Sequence, residues 1–313
     1  MVDSKQQWKA WLYLSPAIVL LLIFTVWPIF NTVRLAFMEG YNALEAVWRT
    51  EPYPIGIGNF IEVLNYDDFT TCLKNTLLLT VLTVPLSTIL ALLIAVALNS
   101  IKPLQKFLQT IFFLPYVTNS IAIGMVFAAM FNIIGLRPDG LTADSWGIIN
   151  NIIMFFGGQP VNWINAGSSY WANMTVMVVY IVWNALPFKI LILLGGLQSI
   201  NKQYYDAAKV DGTSRRRVFT RITVPLLSPM LAYVLITGFI GGFKEYSSIV
   251  GIFGENMGPV GAPYSLNTMV GYIYQVLPKS NYGIASAAAL ILFVIILIVT
   301  MINSAISKKS VHY

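Results

Sequence analysis

Six long apolar runs separated by polar segments set the pattern of this chain. They cover approximately Leu12 to Val33, Thr76 to Leu98, Thr110 to Ile134, Trp171 to Leu197, Pro229 to Phe253 and Gly283 to Ile306. Each reaches the roughly 20 residues that carry an α-helix across a bilayer. The pattern predicts an all-α integral membrane protein with about six transmembrane helices, because lipid permits only helices and closed barrels to span it. No small-residue cleavage site follows the first run, which reads as a retained span and not as a secretory signal. Pro16, Pro28, Pro85, Pro115 and Pro187 fall within the runs, and each is expected to bend its helix by removing a backbone donor. The intervening segments have room for short helices but not for a large separate domain. Residues 1–313 therefore read as a single transmembrane domain.

Composition agrees with this pattern. Of the 313 residues, 57% are hydrophobic and 10% charged, whereas an ordinary soluble domain is about 25% charged. The one cysteine, Cys72, has no internal disulfide partner, and the one histidine is His312. Together these remove zinc and histidine acid–base chemistry from consideration, and no metal site is expected.

The formal charge of +6 reads as an orientation signal, and no nucleic-acid partner is expected. The amino-terminal tail carries Lys5 and Lys9, and the segment after the second run carries Lys102 and Lys106. The segment after the fourth run carries Lys202, Lys209, Arg215, Arg216, Arg217 and Arg221, and the carboxyl tail carries Lys308 and Lys309. The alternate segments hold only Arg34, Arg49, Lys74, Arg137 and Lys279, and they are rich in acids such as Glu39, Glu45, Glu51, Glu62, Asp67 and Asp68. Basic residues collect on the cytoplasmic side, so both termini are expected there.

The longest basic segment, 198–225, has an internal logic. Asn201 suits a helix N-cap, and the residues that follow favour helix. Gly212 suits a left-handed stop. Ser214 is placed to cap a second helix, which Pro225 ends or redirects. Val218, Phe219 and Ile222 share one face of that second helix, and arginines line much of the rest. A compact basic element at the membrane surface suits docking to a cytoplasmic partner.

These residues resemble the signature loop of permeases in binding-protein-dependent ABC importers. The family pattern is Glu-Ala-Ala, three residues, Gly, nine residues, then Ile-x-Leu-Pro. This chain has Asp206-Ala207-Ala208, then Gly212, then Ile222-Thr223-Val224-Pro225, with Asp for Glu and Val for Leu. The stretches Trp11 to Pro28, Asn59 to Asn75, Phe113-Leu114-Pro115 and Gly195 to Ile200 are similar to the carbohydrate branch, in particular to maltose-type first permeases without their large extra insertion.

The resemblance implies a type I ABC importer permease fold in a prokaryotic cell membrane. It implies a second homologous permease, an ATPase dimer that holds ATP and Mg, an extracytoplasmic solute-binding protein and a sugar substrate as partners, with lipid around the helices. In such permeases 198–225 forms a coupling loop seated in the ATPase, which implicates Tyr205, Asp206, Ala207, Ala208, Asp211 and Gly212. The chain has no GxxxxGK[ST] phosphate loop, so it is expected to bind no cofactor itself and to leave ATP hydrolysis to its partner.

Ionisable residues inside a span are costly and functional by default. Lys244 and Glu245 are expected near the middle of the fifth span. With Phe243 and Ser248 they are candidates for lining the substrate path, as are Asn184 and Phe188 in the fourth span and Asn132 at the end of the third. A lysine in the path at Lys244 would suit an acidic saccharide. Lys189 is expected nearer a helix end, with its ammonium snorkelling outward. Alternatives are the same importer class for glycerol phosphate, a polyamine or a peptide; a membrane enzyme acting on lipid-linked sugars; and a channel or scaffold subunit.

Overall fold

The computed structural model describes residues 7–101, 105–135, 137 and 142–310. Lys5, Lys102 and His312 lie outside the described residues. In chain order the helices are α1 (Trp8–Phe37), α2 (Gly58–Asn65), α3 (Asp67–Ser100), α4 (Gln105–Phe113), α5 (Ser120–Phe131), α6 (Ile148–Phe155), α7 (Tyr170–Ser199), α8 (Lys202–Val210), α9 (Arg215–Leu226), α10 (Ser228–Phe243), α11 (Ser247–Phe253), α12 (Met269–Val276) and α13 (Tyr282–Ser310). A two-residue antiparallel pair, β1 (Ile133–Ile134) and β2 (Ser145–Trp146), joins α5 to α6. The short helices α2, α6 and α12 occupy the segments in which short helices were expected.

Four helices, α1, α3, α7 and α13, are long and apolar enough to cross a membrane, and two bent helix pairs bring the number to six if each pair is one span. The third predicted span is bent by 99° between Val117 and Ser120. There Thr118 N–H bonds back to Pro115 O at 3.3 Å, and Asn119 starts α5 afresh by accepting from the N–H groups of Ile121 (2.8 Å) and Ala122 (3.3 Å). The chain bends by 66° between α9 and α10.

The fifth span is not the continuous helix that the apolar run predicts. α10 ends at Phe243, and helix resumes only at Ser247. No proline causes this break. The Glu245 carboxylate accepts from the N–H groups of Tyr246 and Ser248, both at 3.1 Å, and so offers the backbone a local partner in place of the helical ladder. Conversely, Pro16, Pro85 and Pro187 sit inside helices that continue through them.

The chain divides into two compact units. The first comprises Met1–Phe69 and Tyr272–Phe293. Here buried Asn59 donates to Ala36 O (3.0 Å) and Met38 O (2.8 Å) and accepts from Gly40 N–H (3.0 Å), which fixes the chain as it leaves α1. The Asn42 and Asn281 side chains meet at 2.6 Å. No residue of α1's most apolar stretch is buried.

The second unit comprises Thr70–Gly271 and Val294–Tyr313 and holds two apolar clusters strung along α7. One packs Met174, Met177 and Tyr180 against Phe131, Ile249 and Leu266. The other packs Ile190, Leu193, Leu194 and Leu197 against Ala91, Ala95, Leu227 and Val234. Polar ties cross this unit. Asn75 donates to Ser265 O (3.0 Å) and Asn267 O (2.9 Å) while Tyr170 donates to it (2.7 Å). Backbones also come into contact where Gly124 of α5 meets Gly251 of α11. A Cβ on Gly124 would stand 2.7 Å from the Gly251 Cα.

Candidate functional site

Between the two clusters, where α7 runs from Ile181 to Lys189, the packing opens into a cleft of about 320 Å³. Thr83, Val84 and Ser87 of α3 line one wall. Asn184, Phe188 and Lys189 of α7 line another, and α10 contributes Thr237 and three glycines. Glu245 also lines the cleft, and Tyr116 stacks on Phe188 with ring centroids 5.7 Å apart and planes 18° from parallel. The Asn184 amide reaches Ser120 Oγ at 3.5 Å.

The cleft brings together only three of the predicted path residues, Asn184, Phe188 and Glu245. Phe243 and Ser248 are buried in the packing around the break and do not line it. Lys244 caps the end of α10, is exposed and does not line the cleft. Asn132 belongs to a separate, larger cavity of about 1100 Å³. There it accepts from Asn165 Nδ2 at 2.6 Å.

Lys189 reverses its expectation. It does not snorkel, because it lies well inside α7 and is 5% exposed. Its ammonium donates to Ser87 Oγ (2.7 Å), Thr88 Oγ1 (3.0 Å) and Val84 O (3.1 Å). The receiving hydroxyls belong to a stripe along α3 formed by Thr76, Thr80, Thr83, Ser87 and Thr88, all buried. The three- and four-residue spacing from Thr76 to Ser87 was readable as one helix face.

The segment 198–225 folds as helix, glycine turn, helix. Asn201 accepts from Gln203 N–H at 2.9 Å and starts α8. Gly212 adopts φ +62°, and α8 ends with Gly212 N–H on Lys209 O (3.1 Å) and Thr213 N–H on Ala208 O (2.9 Å). This paired closure satisfies the last carbonyls and needs a residue at ease in the left-handed region. Ser214 precedes α9 in an extended conformation, but its hydroxyl makes no capping bond.

Tyr205 Oη meets Thr223 Oγ1 at 3.3 Å and ties the two helices together. Ala208 is buried against the chain's own structure while Ala207 is exposed, so only one of the paired alanines faces outward. Exposed with Ala207 are Tyr204, Val210 (88%) and Asp211, an unpartnered strip along α8. Asp206 pairs with Lys209 at 3.9 Å, and an exposed ion pair of this kind contributes little to stability.

Comparison with known proteins gives these features a context. The arabinooligosaccharides transport system permease protein AraP of Bacillus subtilis is 30% identical over 95% of this chain and 88% of its own. The lactose transport system permease protein LacF of Rhizobium radiobacter is 27% identical over 94% and 91%. The trehalose/maltose transport system permease protein MalF of Thermococcus litoralis is 29% identical over 93% and 91%. The fold matches a solved bacterial ABC transporter involved in the import of the acidic polysaccharide alginate, with a TM-score of 0.77 and 23% identity over 98% of this chain and 97% of that one. Residues 79–312 match the family described as the binding-protein-dependent transport system inner membrane component, and this chain belongs to that family.

Proposed function

We propose that this chain is the membrane-spanning subunit of an ATP-driven sugar or oligosaccharide importer. It would line the solute path, and α8 would couple that path to a separate ATPase. The observation that carries this reading is α8 itself, which combines an exposed strip, a glycine-closed end and a fixed tie to the following helix within a chain of this family. The sugar assignment is supported by the relatives, named as permeases for lactose, arabinooligosaccharides and trehalose/maltose.

In this reading 198–225 and both termini face the cytoplasm. A second permease completes the path, and a solute-binding protein delivers the sugar from the other side. An ATPase dimer carries ATP and Mg. When the ATPase closes, α8 moves as a rigid piece, because Tyr205 holds Thr223 and Ala208 is packed inward. Motion passes through α9 into α10 and through α7 into the cleft wall. The breaks at 118–119 and 244–246 supply joints at which the wall can turn without unfolding a helix.

The test is gentle purification of the tagged chain from its host membranes, with mass spectrometry of what copurifies. An ATPase and a second permease are expected. Gly212→Pro, which forces φ near −65° and removes the N–H that meets Lys209 O, should lose the ATPase and keep the second permease. Recovery of this chain alone under several mild conditions would refute the reading.

A further inference from the structure

The cleft offers three kinds of contact at once. The stacked Tyr116 and Phe188 rings present an aromatic face. Glu245 presents a carboxylate that accepts from the N–H groups of Tyr246 and Ser248 and from the Ser248 hydroxyl, and its remaining lone pairs can accept from a solute's hydroxyls. Lys189 presents a cation. Its three acceptors, Val84 O, Ser87 Oγ and Thr88 Oγ1, are all neutral. Among the described residues no carboxylate lies within 4.0 Å of it, and Glu245, although it lines the same cleft, does not pair with it. The ammonium is therefore hydrogen-bonded but not neutralised, in a site where an unpaired charge is costly.

Taking the solute to be a saccharide, as proposed above, we infer that Lys189 makes this cleft selective for saccharides that carry a carboxylate, such as uronate-bearing oligosaccharides. A sugar ring stacks on Tyr116 and Phe188, its hydroxyls donate to Glu245, and its carboxylate turns to Lys189. One neutral acceptor of the ammonium is then exchanged for a charge-assisted bond. A neutral sugar satisfies the first two contacts and leaves the third unmet. Lys189 lines the cleft together with Ser87, one of its own acceptors, so a carboxylate seated beside that hydroxyl is within reach of the ammonium.

The test uses the intact complex with its partner subunits and binding protein, reconstituted into liposomes. It is offered one series of neutral oligosaccharides and one of uronate-bearing oligosaccharides, and uptake and ATP hydrolysis are read. The uronate series is expected to be carried. Lys189→Gln, which keeps neutral donors for Ser87 and Thr88, should lower that uptake ten-fold or more and change neutral uptake by less than two-fold. Thr88→Ala touches the ammonium but does not line the cleft. It should leave the acidic-to-neutral ratio at the wild-type value, and a ratio that falls as far as in Lys189→Gln would assign Lys189 a packing role only. Carriage of neutral sugars with rejection of the uronate series overturns the inference and leaves the importer reading standing, and this arm needs no variant to fold. Equal loss of both series in Lys189→Gln, or no loss, also overturns it. Failure of both series while another solute is carried overturns the saccharide reading and this inference with it.

Discussion

The contact between Gly124 and Gly251 allows a quantitative test of the packing around the broken spans. A Cβ on Gly124 would lie 2.7 Å from Gly251 Cα and 2.9 Å from its carbonyl carbon. Carbon atoms pack at about 3.5–4.0 Å, so Gly124→Ala must drive α5 and α11 apart by about 1 Å. Both sides of the contact are backbone, and no side chain is available to rotate away. Overpacking of this kind costs about 1–3 kcal/mol, offset by about 0.5–1 kcal/mol from alanine's better helix propensity. The net expectation is a loss of about 1–2 kcal/mol. Gly195 in α7 is the control, because a Cβ there would meet nothing within 4 Å. Gly195→Ala should gain up to about 1 kcal/mol from propensity alone. Unfolding of the purified chain in mixed micelles, driven by titrated sodium dodecyl sulfate and followed by circular dichroism, reads both. The double variant Gly124→Ala/Gly251→Ala should cost less than the sum of the single variants, because helices already separated by one methyl have room for the second. If Gly124→Ala unfolds at or above the wild-type detergent fraction, α5 and α11 are not in fixed contact, and the joint assigned to 244–246 loses its anchored side.

The same titration tests the polar tie at Asn75. Asn75→Ala strands two carbonyls and the Tyr170 hydroxyl in a site where the asparagine is 1% exposed, and a loss of about 2–4 kcal/mol is expected. A loss under about 0.5 kcal/mol would mean that water or a rearranged chain replaces those bonds. Tyr205→Phe removes the bond to Thr223. In the reconstituted complex it should lower uptake per ATP hydrolysed by at least two-fold, with the ATPase still bound, and an unchanged ratio would show that α8 needs no such tie to transmit motion.

Much of the fold was legible because lipid imposes a simple rule on sequence. The length of the apolar runs gave the four continuous spans, and Asn201 and Gly212 gave both ends of α8 through capping chemistry that depends on a few local atoms. The break in the fifth span was hidden because hydropathy does not register it. Phe243 to Ser248 sits within one apolar run, and only the carboxylate of Glu245, turned onto its neighbours' N–H groups, shows why helix stops there. Pro115, expected to bend the third span, sits beside its 99° bend, while Pro85 and Pro187 lie within helices that continue through them. Lys189 was misplaced because its position along the chain was read as nearness to a helix end, whereas its surroundings depend on α3, about a hundred residues earlier in the sequence. The hydroxyl stripe on α3 was the available signal, since Ser87 and Thr88 donate to carbonyls of their own helix and keep lone pairs free to accept from a buried donor.

The interrupted fifth span also bears on hydration. Non-helical backbone is tolerated at membrane depth only where protein or a wet cavity surrounds it, and the 244–246 interruption adjoins the cleft that Glu245 lines. Here protein satisfies that backbone, since the N–H groups of Lys244 and Glu245 reach Gly241 O and Gly242 O, and Thr268 Oγ1 donates to Glu245 O. These groups therefore need no ordered water of their own, so a solute that displaces water from the cleft leaves none of them unpaired.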